Sequence, residues 1–339
     1  MTDVKPQETD VKSQEFDEDD VMEDVFVERS GEGEVARNIG AVLGRLGDAR
    51  DDIAIVVADM GMVAGEFRER HGERFFNFGI AENNTMSAAA GLAAAGMKPY
   101  SLLMSAFGML KCAEQIRTDL GATHLPVRIV ARSTGLAQAF FGASHHTIED
   151  IAIARSLANM TVICPSDFNS MVSLIEATVD YPGPIYYRMS AGCEQAEVYP
   201  ERPNIERGKF RTVREGTDVT VIGIGNGVVS AIEAAKVLEK EGVSVEIIDA
   251  CYLKPLDEQA ILDAAAGTGR ILTVEEHSVI GGLGTAVAEV LGRNGVSARM
   301  QIHGLPDGDL YAGFPALLLE HYGITPEGVL DQLRKLLGS

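Results

Sequence analysis

The chain has 339 residues, of which 46% are hydrophobic and 6% aromatic, with 36 glycines and a formal net charge of −21 at pH 7. The length points to two domains, and the charge argues against nucleic acid or an anionic membrane as a general surface partner. No apolar run approaches the roughly 20 residues of a membrane span, and the N-terminal stretch has no apolar signal core, so a cytoplasmic location is expected.

Residues 1–30 hold 11 acidic against 3 basic side chains and a near-perfect tandem, TDVKPQE then TDVKSQE. Such a segment cannot bury enough apolar surface to offset its ordering entropy, so a disordered, solubilising tail is expected. From Gly31 the pattern changes. "EVARNIGAVLGRL" (34–46) has helical spacing, and "IAIVVAD" (53–59) is the β-branched run of a buried parallel strand. An aromatic, strand-like run ends at Gly79. A helix is expected over 82–95, an apolar run at 99–107, a helix over 109–120 and a strand at 127–132. Helices at 149–157 and 168–179 alternate with strands at 160–165 and 184–189. Alternating strand and helix means a parallel sheet covered on both faces. A polar, Pro-bearing stretch (192–208) reads as a linker. Strands at 218–225, 244–249, 270–276 and 298–304 then alternate with helices at 228–241, 257–265 and 282–292. The expected fold class is α/β: a tail (1–30), a doubly wound domain (31–191), a linker (192–212) and a second doubly wound domain (213–339).

The four cysteines, Cys112, Cys164, Cys193 and Cys251, show neither CxxC spacing nor Cys/His pairing. They read as reduced small hydrophobes, not disulfides or zinc ligands. "GIGNGV" (223–228) has Val at its last position, so it misses GxGxxG and reads as a tight strand-to-helix turn. No P-loop motif occurs. "EEHSVIGGLG" (275–284) reads first as a turn or domain contact. The paired histidines of "GASHHTIED" (142–150) lie in a loop before a helix, where function is plausible and metal ligation less so.

The most informative stretch is "RFFNFGIAENNTMSAAAGLAAAG" (74–96), with a single acid, Glu82, at the mouth of a helix built from small residues. An acid there can simply complement the helix dipole. The aromatic residues upstream and small residues downstream also place it where water is scarce, which favours its neutral form and makes it a catalytic candidate. The small residues are expected to let the helix backbone approach its neighbours closely.

In order along the chain, "NFGIAENNTMSAAAGLAAAGMKPY", "GASHHTIEDIAIARSLANMTVICPSD", "GPIYYRMSAG" and "VEEHSVIGGLG" resemble the transketolase family, in its pyrimidine-binding and C-terminal domains, over roughly residues 31–335. The resemblance implies thiamine diphosphate chemistry. Glu82 would hydrogen-bond the aminopyrimidine ring nitrogen and promote its imino tautomer, and Ile80, Met104, Phe107 and Leu110 would line the ring's pocket. It further implies a ketose donor, an aldehyde acceptor and transfer of a two-carbon ketol unit. His145 falls on the family's substrate-contacting histidine, and Arg37 and Arg188 where the family grips substrate phosphate.

The family also holds diphosphate and Mg²⁺ with a GDG motif followed by Asn. This chain has only "PDGDL" (306–310), in another context. The resemblance therefore implies a split enzyme. A partner N-terminal subunit would carry GDG…N, cofactor and metal would be held mainly by that partner, and an α2β2 heterotetramer would form around a homodimer of this chain. Sugars or sugar phosphates are the implied ligands. Phe140 and Phe141 stand where the family usually has acids, Ser133 where a phosphate-contacting His is common, and Val63 where a Ser is. These departures point to a modified or specialised substrate. Two rivals stay open: a 2-oxo acid decarboxylating subunit, as in 2-oxo acid dehydrogenases or deoxyxylulose-phosphate synthase, and a non-catalytic subunit of the same fold.

Overall fold

The computed structural model describes residues 38–190 and 192–338. The acidic stretch 1–30 and Arg37 lie outside the described residues. Two mostly parallel sheets alternate with helices, as expected. In chain order the helices are α1 (Ile39–Ala49), α2 (Gly65–Arg70), α3 (Glu82–Ala94), α4 (Asp150–Ser156), α5 (Phe168–Thr178), α6 (Asn226–Lys240), α7 (Glu258–Gly267), α8 (Leu283–Asn294), α9 (Pro315–His321) and α10 (Pro326–Leu337).

The first sheet runs, in spatial order, β10 (Tyr252–Lys254), β5 (Thr161–Ile163), β6 (Ile185–Arg188), β4 (Arg128–Arg132), β3 (Lys98–Met104), β1 (Ile53–Val57) and β2 (Phe75–Asn77). All are parallel except β10. Alternate residues feed two separate cores: Ile55, Val57, Tyr100, Leu102 and Val130 pack under α1, α2 and α5, and Val56, Leu103, Ile129 and Ala131 pack under α3 and α4. A sheet buried on both faces needs such continuous apolar strands. Helix starts are set locally. Asn38 Oδ1 accepts from Ala41 N at 2.8 Å, and Asp167 and Ser170 form a reciprocal capping box at α5.

The second sheet orders β12 (Arg299–Leu305), β11 (Arg270–Ser278), β8 (Val219–Gly223), β9 (Val245–Asp249) and an antiparallel edge, β7 (Arg211–Arg214). Five of these elements were not anticipated: α2, β7, β10, α9 and α10. The short β7 and β10 lack a periodic pattern long enough to read. Strand β10 lies in sequence between β9 and α7 of the second sheet, yet it pairs with β5 of the first. It ties the two halves together through shared backbone hydrogen bonds.

The stretch at 99–107 is strand only to Met104. From Ala106 the chain turns helical, π-helical over Ala106–Lys111 and again over Ile116–Gly121, with a short α-turn, Ala113–Gln115, between. The expected linker is pinned rather than free. Within it Cys193, Tyr199 and Ile205 are buried, and Glu194 accepts from Ile39 N at 2.7 Å and from Arg132 at 3.3 Å. All four cysteines are buried and unpaired. Among the described residues no helix is long and apolar enough to cross a membrane.

Candidate active site

The carboxyl ends of the first sheet's strands gather the candidate residues, the end at which doubly wound sheets present their sites. Strand β2 leads through Gly79 into α3. Gly79 has φ +68°, a left-handed conformation that glycine adopts without strain, and it turns the chain so that Glu82 opens the helix. Glu82 is only 6% exposed. Its Oε2 accepts from Lys111 Nζ at 2.6 Å. The helix is zipped to the 106–121 stretch beside it: Asn83 Nδ2 donates to Lys111 O at 3.1 Å and Gln115 Oε1 at 2.6 Å, and Ser87 Oγ to Asp119 Oδ2 at 2.8 Å.

Two expectations about this helix need correction. Burial by itself raises the Glu82 carboxyl, but the hydrogen bond and charge of Lys111, with a backbone hydrogen bond, outweigh it and hold the group below the ordinary glutamate value. The acid is therefore ionised, not neutral. The lysine could not be foreseen because it comes 29 positions later in the chain and no local pattern marks it. The small residues also do not all serve close approach. The packed face is Thr85, Met86, Ala89, Ala90 and Ala93, whereas a Cβ at Gly91 or Gly96 would meet nothing.

Phe107 and Lys111 lie four residues apart on the π-helical segment, so one segment links the acid to a ring cluster. The Phe107 ring lies 5.2 Å from that of His145, edge to face. His145 in turn lies 4.5 Å from Phe141, which packs 4.4 Å from Phe140. His145 Nδ1 and Ser144 Oγ are 2.9 Å apart. Burial, reinforced by neighbouring His146, holds the His145 imidazole below its usual value, so it is neutral near pH 7. Phe141 is 51% exposed. Met104, at the end of β3, and Leu110 are half-buried, and Ile80 is 78% exposed on the loop before Glu82. Ser133 follows β4 with φ +58° and accepts from Gln138 Nε2 at 3.3 Å.

Arg188 does not join this group. It is 1% exposed, its Nε donates to Asp150 Oδ2 at 2.8 Å, and one terminal nitrogen donates to Glu276 O at 2.8 Å and Thr147 O at 3.4 Å. A guanidinium so enclosed is a strut between the two halves, not a phosphate grip, and that expectation is corrected. Asp150 also accepts from Tyr186 OH at 2.7 Å, and Tyr186 OH lies 2.8 Å from Ser105 Oγ, next to Met104. The acids of "EEHSVIGGLG" serve the turn and the contact read from the sequence. Glu275 accepts from the Leu283 and Gly284 amides that open α8. Glu276 reaches the other half and accepts from Leu136 N at 2.6 Å, an approach that a side chain at Gly135 would block. Strand β8 ends at Gly223 and α6 begins at Asn226, so "GIGNGV" is the tight turn expected. Among the described residues no three His, Cys, Asp or Glu side chains are grouped to hold a metal.

Two doubly wound sheets, with an acid and a histidine–phenylalanine cluster at the strand ends of the first, define the class of fold and site. The family description "Transketolase, pyrimidine binding domain" matches residues 34–192, and "Transketolase, C-terminal domain" matches 208–329. The chain belongs to the transketolase family, a family of transferase-type, thiamine-diphosphate-dependent enzymes. It is 36% identical over 283 residues to an apulose-4-phosphate transketolase subunit from Phocaeicola vulgatus, covering 83% of this chain and 89% of that one. It is 33% identical to 1-deoxy-D-xylulose-5-phosphate synthase of Symbiobacterium thermophilum, over 93% of this chain but only 49% of the synthase. A solved structure described as a split gene transketolase, inactive beta4 tetramer, superposes with a TM-score of 0.82 at 36% identity, covering 88% of this chain and 96% of that one.

Proposed function

We propose that this chain is the C-terminal subunit of a two-component transketolase that moves a two-carbon ketol unit from a ketose, phosphorylated or otherwise modified, to an aldehyde, and that it acts only with a partner subunit. The observation behind the reading is the nearly buried Glu82 at a helix mouth, joined through one π-helical segment to the Phe107–His145–Phe141 cluster. The chain is nearly coextensive with two relatives, one described as a transketolase subunit and one as a split gene product, and it spans about half of the single-chain synthase.

The residues present suit the pyrimidine end of thiamine diphosphate. A sheltered carboxyl can meet a ring nitrogen, and the half-buried Phe107, Met104 and Leu110, with the exposed Ile80, are the apolar side chains this reading assigns to the ring's pocket. When bound, the cofactor supplies the electron sink for breaking and forming a carbon–carbon bond. Glu82 holds or gives up one proton at the ring nitrogen. His145, kept neutral, can accept or return a proton at a substrate hydroxyl. Phe141 and Phe140 present an apolar face beside it, which disfavours a substrate hydroxyl that an acid would have bound. Ser133, with Arg37, is the remaining candidate for the phosphate end. Diphosphate and Mg²⁺ fall to the partner's GDG…N motif, within an α2β2 assembly in the cytoplasm. Division into a tail (1–30), domains at 31–191 and 213–339 and a linker at 192–212 belongs to the same reading. Neither nucleic acid nor membrane enters it.

The likeness to the synthase supports a second reading, a 2-oxo acid decarboxylating subunit. One experiment separates the two. The chain assembled with its partner subunit, thiamine diphosphate and Mg²⁺ is assayed for ketol transfer from a ketose phosphate and for CO2 release from pyruvate. Transfer without decarboxylation supports the transketolase, CO2 release supports the rival, and turnover by the chain alone overturns the split-enzyme reading.

A further inference from the structure

Lys111 has no part in the chemistry just derived, yet its ammonium is the side-chain partner of the acid at the centre of it. The pair is asymmetric: the Glu82 side chain is nearly enclosed and the Lys111 side chain is 49% exposed. Glu82 is fixed by the first turn of a packed helix. Lys111 ends the π-helical segment and reaches in from solvent on a long, flexible stem. A cation placed this way can withdraw into water without losing its own hydration, and the enclosed carboxylate it leaves behind is not an uncompensated charge once it takes up a proton. The other titratable group facing Glu82 is the Cys112 thiol, which burial pushes up to about 12 and keeps neutral. Asn83 and Gln115, the nearby polar side chains, carry no charge and bond to each other.

The geometry creates a conflict with the proposed cofactor. A carboxylate held ionised by an ammonium has no proton to donate through either oxygen to a ring nitrogen, which is itself an acceptor. We propose that Lys111 is a displaceable counter-ion of Glu82, pairing with the carboxylate until an aminopyrimidine ring nitrogen takes the same oxygen, whereupon the lysine withdraws to solvent. The exchange takes up one proton. The Glu82 carboxylate becomes a carboxyl by accepting a proton from solvent, its O–H donates to the ring nitrogen, and Lys111 leaves with its own three protons. Lys111 thereby makes binding of the pyrimidine dependent on pH and weaker than the enclosed acid alone would give. The inference rests on the thiamine diphosphate reading above.

The test is calorimetry of thiamine diphosphate with Mg²⁺ binding to the chain assembled with its partner subunit, in buffers of different ionisation enthalpy, from pH 5.5 to 8. The wild type should take up close to one proton per site. In Lys111→Met the uptake should drop below one proton toward the acid end of this range, where the wild type still takes up close to one, because burial alone then raises Glu82, and binding at pH 6.5 should tighten about fivefold. Lys111→Arg, which restores a cation, should return both values toward wild type. Glu82→Gln should abolish the uptake. Unchanged affinity and proton count in Lys111→Met, or persistent uptake in Glu82→Gln, overturns the counter-ion role while leaving the transketolase reading in place. An assembly that turns over neither ketose nor pyruvate and binds no thiamine diphosphate overturns both.

Discussion

The Phe141 ring packs against the His145 ring at 4.5 Å, tilted by 36°. An aromatic neighbour offers no charge to stabilise imidazolium, and burial with His146 alongside lowers the histidine further. Under the proposed mechanism the neutral imidazole is the working form, so activity should fall only as pH drops through a value below the ordinary histidine range. Phe141→Asp should move this acidic limb upward by about one unit, since a nearby carboxylate favours the protonated ring. The check is the pH profile of kcat/KM for both proteins; coincident acidic limbs would remove Phe141 from the control of His145.

Glu82→Gln keeps size and burial but can neither hold nor release the proton. In the assembled enzyme it should lower kcat by roughly 10²- to 10⁴-fold, with the thermal midpoint close to wild type. Intact turnover would leave the non-catalytic reading of this subunit standing and end the proton role of Glu82.

The buried pair of Arg188 and Asp150 is a prediction about stability rather than binding. Removing one partner of a buried pair leaves an uncompensated charge and costs about 3–5 kcal/mol. Arg188→Met should therefore lower the melting temperature by roughly 6–20 °C, at about 2–4 °C per kcal/mol. Adding Asp150→Asn should recover part of the loss. If Arg188→Met melts like wild type and raises KM for phosphorylated substrates alone, the arginine grips phosphate after all.

Burial raises the Glu275 carboxyl to about 7, against the pull of the Leu283 and Gly284 amides, and Asp249 likewise to about 7. A carboxyl raised on folding contributes stability that is fully present below its unfolded value, about 4.5 for glutamate, and is lost as pH rises through its folded value near 7. The loss for Glu275 is on the order of 3 kcal/mol. Urea unfolding should show wild-type stability declining between about pH 5 and pH 8, and the decline should be shallower in Glu275→Gln. Equal slopes for the two proteins would mean that Glu275 does not titrate in that window.

Sequence alone determined the alternation of strands and helices, because β-branched runs such as Ile53–Val57 and helical spacing are local properties, and it marked Glu82 and His145 through motifs contiguous in the chain. It also read "GIGNGV" and "EEHSVIGGLG" correctly as turn and contact, since glycine spacing is likewise local. What only the tertiary structure decided are pairings between distant positions. Tyr252–Lys254 joined the first sheet because a short edge strand has no pattern of its own, only a partner. Arg188 became a strut because Asp150 and Glu276 meet it from both halves of the molecule. Lys111 met Glu82 through two packed helical segments, and that contact favours the ionised acid over the neutral form its surroundings suggested. Burial favours an uncharged carboxyl, and here a nearby ammonium together with a backbone hydrogen bond outweighs it.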